Sequence, residues 1–164
     1  MKDFKSTFLI TITTFLLSLS TYAIDRTGRL GLGMSNQLKN DIPAISFKIQ
    51  KSKGTAFGAM IGADTDEKDG GWGAGFKVYR NIFDEPQLNF YGALMVGVIN
   101  QKLGVGESNT GFQADATLGS EFSFTGLSSI GLSFEFGVSF NKMDDFRVQT
   151  VGDSFIVAAA HFYL

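Results

Sequence analysis

The sequence predicts an all-β protein, an eight-stranded antiparallel up-and-down transmembrane β-barrel. Three observations predict it. Apolar and polar residues alternate with period two through most of the chain, as half-buried strands require. The connectors between these strands are short and long in turn. One face of each strand is large and often aromatic, while the other carries charges among glycines and serines. Composition agrees. With 20 Gly, 17 Phe and only 2 Pro in 164 residues, the chain suits strands that need both tight spots and large apolar contacts.

Residues 1–23 are of another kind. Lys2 and Lys5 precede the apolar run Phe8–Ser20, and Thr21–Ala23 follow as a cleavage region. This is the pattern of a secretory signal peptide, which leaves residues 24–164 as the barrel domain. The run is shorter than the ~20 apolar residues a spanning helix wants. No long unbroken apolar run follows it, so no helical span is expected.

The strands follow in order. In the first, Leu30, Leu32 and Met34 oppose Arg29, Gly31, Gly33 and Ser35. The second sets Ile45, Phe47 and Ile49 against Ser46, Lys48 and Gln50. The third sets Phe57, Ala59, Ile61 and Ala63 against Gly58, Met60 and Gly62. The fourth sets Trp72, Ala74, Phe76 and Val78 against Gly73, Gly75, Lys77 and Tyr79. The fifth is apolar on both sides, with Phe90, Leu94, Val96 and Val98 taken as its outer face. The sixth sets Phe112, Ala114, Ala116, Leu118, Phe122 and Phe124 against Gln113, Asp115, Thr117, Gly119, Glu121 and Ser123. The seventh sets Ile130, Leu132, Phe134, Phe136, Val138 and Phe140 against Gly131, Ser133, Glu135, Gly137 and Ser139. The eighth, read from Ser154 to the end, places Ile156, Ala158, Ala160, Phe162 and Leu164 together.

The connectors "KSKG", "FDEPQ" and "TGLSS" are short. "DTDEKDGG", "KLGVGESNTG" and "NKMDDFRVQTVGD" are longer and more polar, and "NQLKNDIP" is intermediate. A meander puts the long ones at one end and the short ones at the other, the asymmetry of bacterial outer-membrane barrels. A soluble secreted barrel shares the alternation and is the competing architecture. Three features favour lipid outside. Only 18% of residues are charged, low for a soluble surface. The stretch Phe112–Phe124, at ~3.3 Å per residue and ~40° tilt, projects to roughly 30 Å. That places Phe112 and Phe124 at opposite membrane rims, with Trp72 and Phe140 at the outer one and Phe162 at the inner one. Finally, an eight-stranded barrel has a narrow interior that side chains fill, which suits the small and polar inner positions.

If the apolar face is outside, Arg29, Lys48, Lys77, Asp115, Glu121, Glu135 and His161 point inward. Lone buried charges are costly unless paired, so a balanced lumenal polar network is expected. Glu121 and Glu135 fall on adjacent strands, directly opposite or one pair diagonal, and should recruit a cation or share a proton. Lys48, Lys77 and Arg29 are the candidates. Catalysis is not expected. His161 is the only histidine, with no His-x-Ser pair around it and no Ser with an acid partner in sight. No cofactor or metal is expected either. "GLGMSN" and "GVGESN" do not lead into helices as phosphate loops must. "DTDEKDGG" departs from a calcium loop, because Lys68 takes a ligand position. The chain has no cysteine, which leaves no disulfide or thiolate site. A net charge of −2 offers no field toward nucleic acid.

The signal peptide, the alternating strands and the alternating loop lengths resemble the small OmpA/OmpX-type outer-membrane barrels. The ending "VAAAHFYL" resembles their terminal strand, with Phe162 and Leu164 at positions that the barrel assembly machinery reads. Leu164 stands where phenylalanine is commoner, and Ala159 where glycine is usual. The resemblance implies a bacterial outer-membrane location and partners in outer-membrane lipids, lipopolysaccharide and the assembly machinery. It implies a structural or surface-interaction role through the extracellular loops, "NKMDDFRVQTVGD" above all, with a gated pore or a lipid-modifying enzyme as alternatives. The peptidoglycan-binding domain that often follows such barrels is not carried over, and the surface ligand is left unnamed.

Overall fold

A computed structural model describes residues 25–152 and 155–164 of the chain. The signal-peptide reading of residues 1–23 lies outside the described residues. Those described form strands, turns and irregular segments. The strands are β1 (Leu30–Ser35), β2 (Ala44–Ser52), β3 (Thr55–Asp64), β4 (Gly71–Glu85), β5 (Leu88–Lys102), β6 (Ser108–Phe124), β7 (Leu127–Lys142), β8 (Phe146–Thr150) and β9 (Val157–Tyr163). From β1 to β8 each strand pairs antiparallel with the next. β7 pairs with β8 along its last residues and with β9 along its earlier ones, so β8 and β9 are two halves of one stave. β9 in turn pairs with β1, from Gly31 opposite Tyr163 to Ser35 opposite Ala159. The result is a closed, eight-staved, antiparallel up-and-down barrel. Closure leaves few backbone groups unpaired at sheet edges.

The split stave corrects the reading of "NKMDDFRVQTVGD" as one long loop. Phe146, Val148 and Thr150 alternate with Arg147 and Gln149, and this half-strand continues the β7 hairpin with Phe140 opposite Val148. The connector shrinks to 143–145. Two acidic residues before this half-strand and the end of the alternation after Thr150 hid it. The other long connectors also shorten, to 65–70 and 103–107, because β4, β5 and β6 extend past the barrel's apolar belt.

Polarity is inside out. Phe134 and Phe136 are 48% and 54% exposed, while Glu121 and Glu135 are 2% and 3% exposed. Leu94, Val96 and Val98 face outward, as do Trp72, Phe112, Phe124, Phe140, Phe162 and Leu164. Outer rings pack on each other, as in the stacked pair Phe83–Phe90 with centroids 5.1 Å apart. Trp72, Phe112 and Phe140 gather at the long-connector end, with Phe112 opposite Val98 and Lys142. Phe124 and Phe162 stand at the short-connector end.

The β1–β9 seam is tight. A methyl group added to Gly33 would lie 1.7 Å from the Ala160 carbonyl oxygen. Backbone on both sides leaves no flexible atom to yield. Gly33→Ala is therefore expected to cost about 1–3 kcal/mol through forced separation of the seam. A lower urea midpoint for the refolded barrel checks this, and an unchanged midpoint would show that the strands part freely.

Candidate functional site: the sealed polar interior

Among the described residues, the interior holds three cations and three carboxylates in two clusters, and chain segments fold over both ends. The first cluster centres on Glu121. Lys48 on β2 donates to its Oε2 at 2.5 Å, and the Tyr163 hydroxyl donates to Oε1 and Oε2 at 2.9 and 3.0 Å. Arg26 also donates to Oε1. Arg26 continues to Ser123 Oγ at 2.8 Å and the Ile130 carbonyl at 3.0 Å, and its guanidinium lies 4.1 Å from the centre of the Tyr163 ring. Aromatic faces complete the cage: the Lys48 ammonium is 4.6 Å from the Tyr79 ring centre and 4.9 Å from that of Tyr91. Such contacts stabilise a desolvated cation that a single carboxylate would hold incompletely.

The second cluster centres on Glu135. Lys77 on β4 bonds Oε1 at 2.7 Å and Oε2 at 2.5 Å. The Tyr91 hydroxyl donates at 2.9 Å and that of Thr117 at 2.8 Å, so both carboxylate oxygens are fully used. Lys77 also donates to Gln37 Oε1 at 2.6 Å. Gln37 in turn donates to Asp115 at 2.8 Å, and Asp115 accepts from Gln113 at 2.9 Å. Asp115 is thus hydrogen-bonded by amides and joined to the lysine through one glutamine.

Of the residues expected inward, Lys48, Lys77, Asp115, Glu121, Glu135 and His161 are all buried in this interior. Arg29 is a correction. It sits half-buried at the short-connector mouth, where it donates to the Tyr163 carbonyl at 2.7 Å and that of Leu164 at 3.2 Å. Its expected place is taken by Arg26, which sequence reasoning missed. Gly28, at φ 82°, folds the preceding residues back into the mouth, and its N–H bonds the Gln50 carbonyl at 2.8 Å. The glycine between two arginines was the available signal. The two glutamates stand one pair apart on the diagonal, with Glu121 opposite Ser133 and Glu135 opposite Gly119. They do not share one cation: each has its own.

The segment folded over the other end is the connector 36–43. Gln37, Leu38 and Asn40 are buried inside the barrel. Leu38 packs with Ala44, Met60, Met95 and Ile99. The Asn40 amide donates to the Asn100 carbonyl at 3.2 Å, and the Lys39 N–H donates to Gln113 at 2.9 Å. Inward-facing Met60, Met95 and Ile99 form an apolar shelf against which Leu38 and Met143 pack. Those inward apolar residues were the legible cue.

His161 Nε2 meets Ser46 Oγ at 2.9 Å, a pairing not expected from the sequence. Its Nδ1 has no partner among the described residues, so no carboxylate orients the ring as a nucleophile–base pair requires. Both residues are buried, Ser46 at 2% and His161 at 3% exposure. In the connector 65–70, Asp66 accepts backbone N–H groups from Asp69 and Lys68, which hold its carboxyl below the usual range. Asp64 likewise accepts from the Asp66 N–H at 2.9 Å. These carboxylates serve the turn itself.

The chain matches no protein-family model, no curated protein and no solved structure. The class it defines is a closed eight-staved barrel with an apolar outside and a sealed, charge-balanced inside.

Proposed function

We propose that this chain is an integral β-barrel of a bacterial outer membrane, with a structural or surface-interaction role and no catalysis. The observation that carries the reading is the inverted polarity of a closed barrel. In water, dozens of outward Phe, Leu, Val and Ile side chains would form an apolar patch far beyond what a soluble monomer tolerates. In lipid the same face is solvated, and closure satisfies the backbone. The OmpA/OmpX-type resemblance points the same way, as do the two aromatic rims and the outward Phe162 and Leu164 offered to the assembly machinery. The filled interior favours a structural barrel over a pore, since a conducting path would have to move both end segments and break both ion clusters. Interaction would fall to the long-connector end. There Lys39, Asp41, Asp144, Asp145, Arg147 and Gln149 line a polar bowl of about 250 Å³.

Fractionation of expressing bacteria tests this. The protein is expected in the outer-membrane fraction, resistant to carbonate extraction. On gels, unboiled samples should migrate differently from boiled ones, as closed barrels do. Release into the soluble fraction, or identical migration, would overturn the proposal.

A further inference from the structure

We propose that the outer face carries a site for one phospholipid, an acyl chain lying in a groove across β4–β7 and the phosphate resting on Arg80. This rests on the membrane reading above. The groove is an open, almost wholly apolar trough of about 470 Å³. Its form follows from register. Arg80 is opposite Gly92, Gly92 opposite Leu118, and Leu118 opposite Phe136, which makes one outward row across four strands. In the next row, Leu94 is opposite Ala116. Gly92 and Ala116 are therefore diagonal neighbours and form a floor. Leu94 stands as one bank, with Leu118 and Phe136 as the other. The trough runs up the wall from Arg80, the direction an acyl chain takes from its head group.

Arg80 sets the depth and the charge. It pairs with Thr55, the first residue of β3, and so stands level with the short connector 53–54. Its side chain is exposed and donates to Thr55 Oγ1 at 3.2 Å. Among the described residues no carboxylate lies within ion-pair distance of it. The outward positions of β4–β7 above it carry no acidic residue, so a second copy of this chain packed on the groove would bring no counter-charge. A phosphodiester does, and a guanidinium takes it in a two-pronged grip. The short-connector end would face the periplasm, the leaflet where phospholipid rather than lipopolysaccharide is the available lipid.

Two variants test this without touching the interior. Gly92→Leu fills the trough. A Cβ there meets only Leu118 Cδ2 at 3.8 Å and the Thr117 carbonyl at 3.9 Å, so the wall accepts it. Arg80→Gln removes the charge. The detergent-purified barrel is mixed with palmitoyl-oleoyl-phosphatidylglycerol, with the matching diacylglycerol, or with inorganic phosphate, and native mass spectrometry counts what stays bound. The wild type is expected to retain one phosphatidylglycerol, and each variant about tenfold less, the effect of losing one charged bond or the chain's seat. Diacylglycerol and inorganic phosphate should be retained poorly by all. No retention by the wild type, equal retention by the variants, or equal retention of diacylglycerol would overturn the site. Gel heat-shift on the same samples separates the two failures. A barrel that shifts but holds no lipid sinks only this proposal, while one that does not shift sinks the membrane reading itself.

Discussion

Glu121→Gln is expected to destabilise the barrel by about 3–5 kcal/mol, the range for removing one partner from a buried ion cluster. The change keeps shape and removes charge. Arg26, Lys48 and the Tyr163 hydroxyl all point at this carboxylate. Without it, two cations face each other in a sealed space with no other carboxylate in reach, since Glu135 is already claimed by Lys77. Water offers them little help, because Arg26 and Lys48 are only 4% and 5% exposed. Asp115→Asn should cost less, because amides rather than a cation hold that carboxylate. Urea unfolding in phospholipid vesicles reads both, using the fluorescence of Trp72, the only tryptophan, whose side chain faces outward. If Glu121→Gln and wild type share a midpoint, the cluster is not what holds the interior together.

The fold was largely legible, because period-two alternation is enforced along every stave by the same physics. Each residue must choose between a packed polar lumen and the outside. Phe134, Glu135 and Phe136 could be placed from three letters of sequence. Legibility failed where the chain leaves the ladder. Arg29 has the parity of an inward residue, but it precedes Leu30, where β1 begins, and outside a strand parity assigns no face. Arg26 enters the barrel only because of a glycine turn, and Gln37 and Leu38 only because a connector folds inward. Both depend on empty space at the mouths, which is a property of the assembled wall and is written in no local pattern. The β8 half-strand is the converse case: its alternation was present, but too short to stand out between acidic residues and a break.

Lys77 and Glu135 should show strong coupling when removed together. Lys77→Met alone strands a carboxylate in the interior with only the hydroxyls of Tyr91 and Thr117 donating to it, and a loss of about 3–5 kcal/mol is expected. Glu135→Leu alone strands the ammonium, with Gln37 as its remaining acceptor, at a similar loss. The double variant removes both charges, and with them the desolvation that made each single change costly. Tyr91 and Thr117 lose an acceptor, which offsets part of the gain, so the double variant should lie within about 1–2 kcal/mol of wild type. The double-mutant cycle on urea midpoints measures this coupling directly, for the pair is in contact and additivity should fail. Losses that simply add in the double variant would mean that each residue supports the wall through its own packing. A near-wild-type double variant would mean that the ion pair is a filling which hydrocarbon can replace, and that the barrel needs its interior occupied and neutral more than it needs these particular charges.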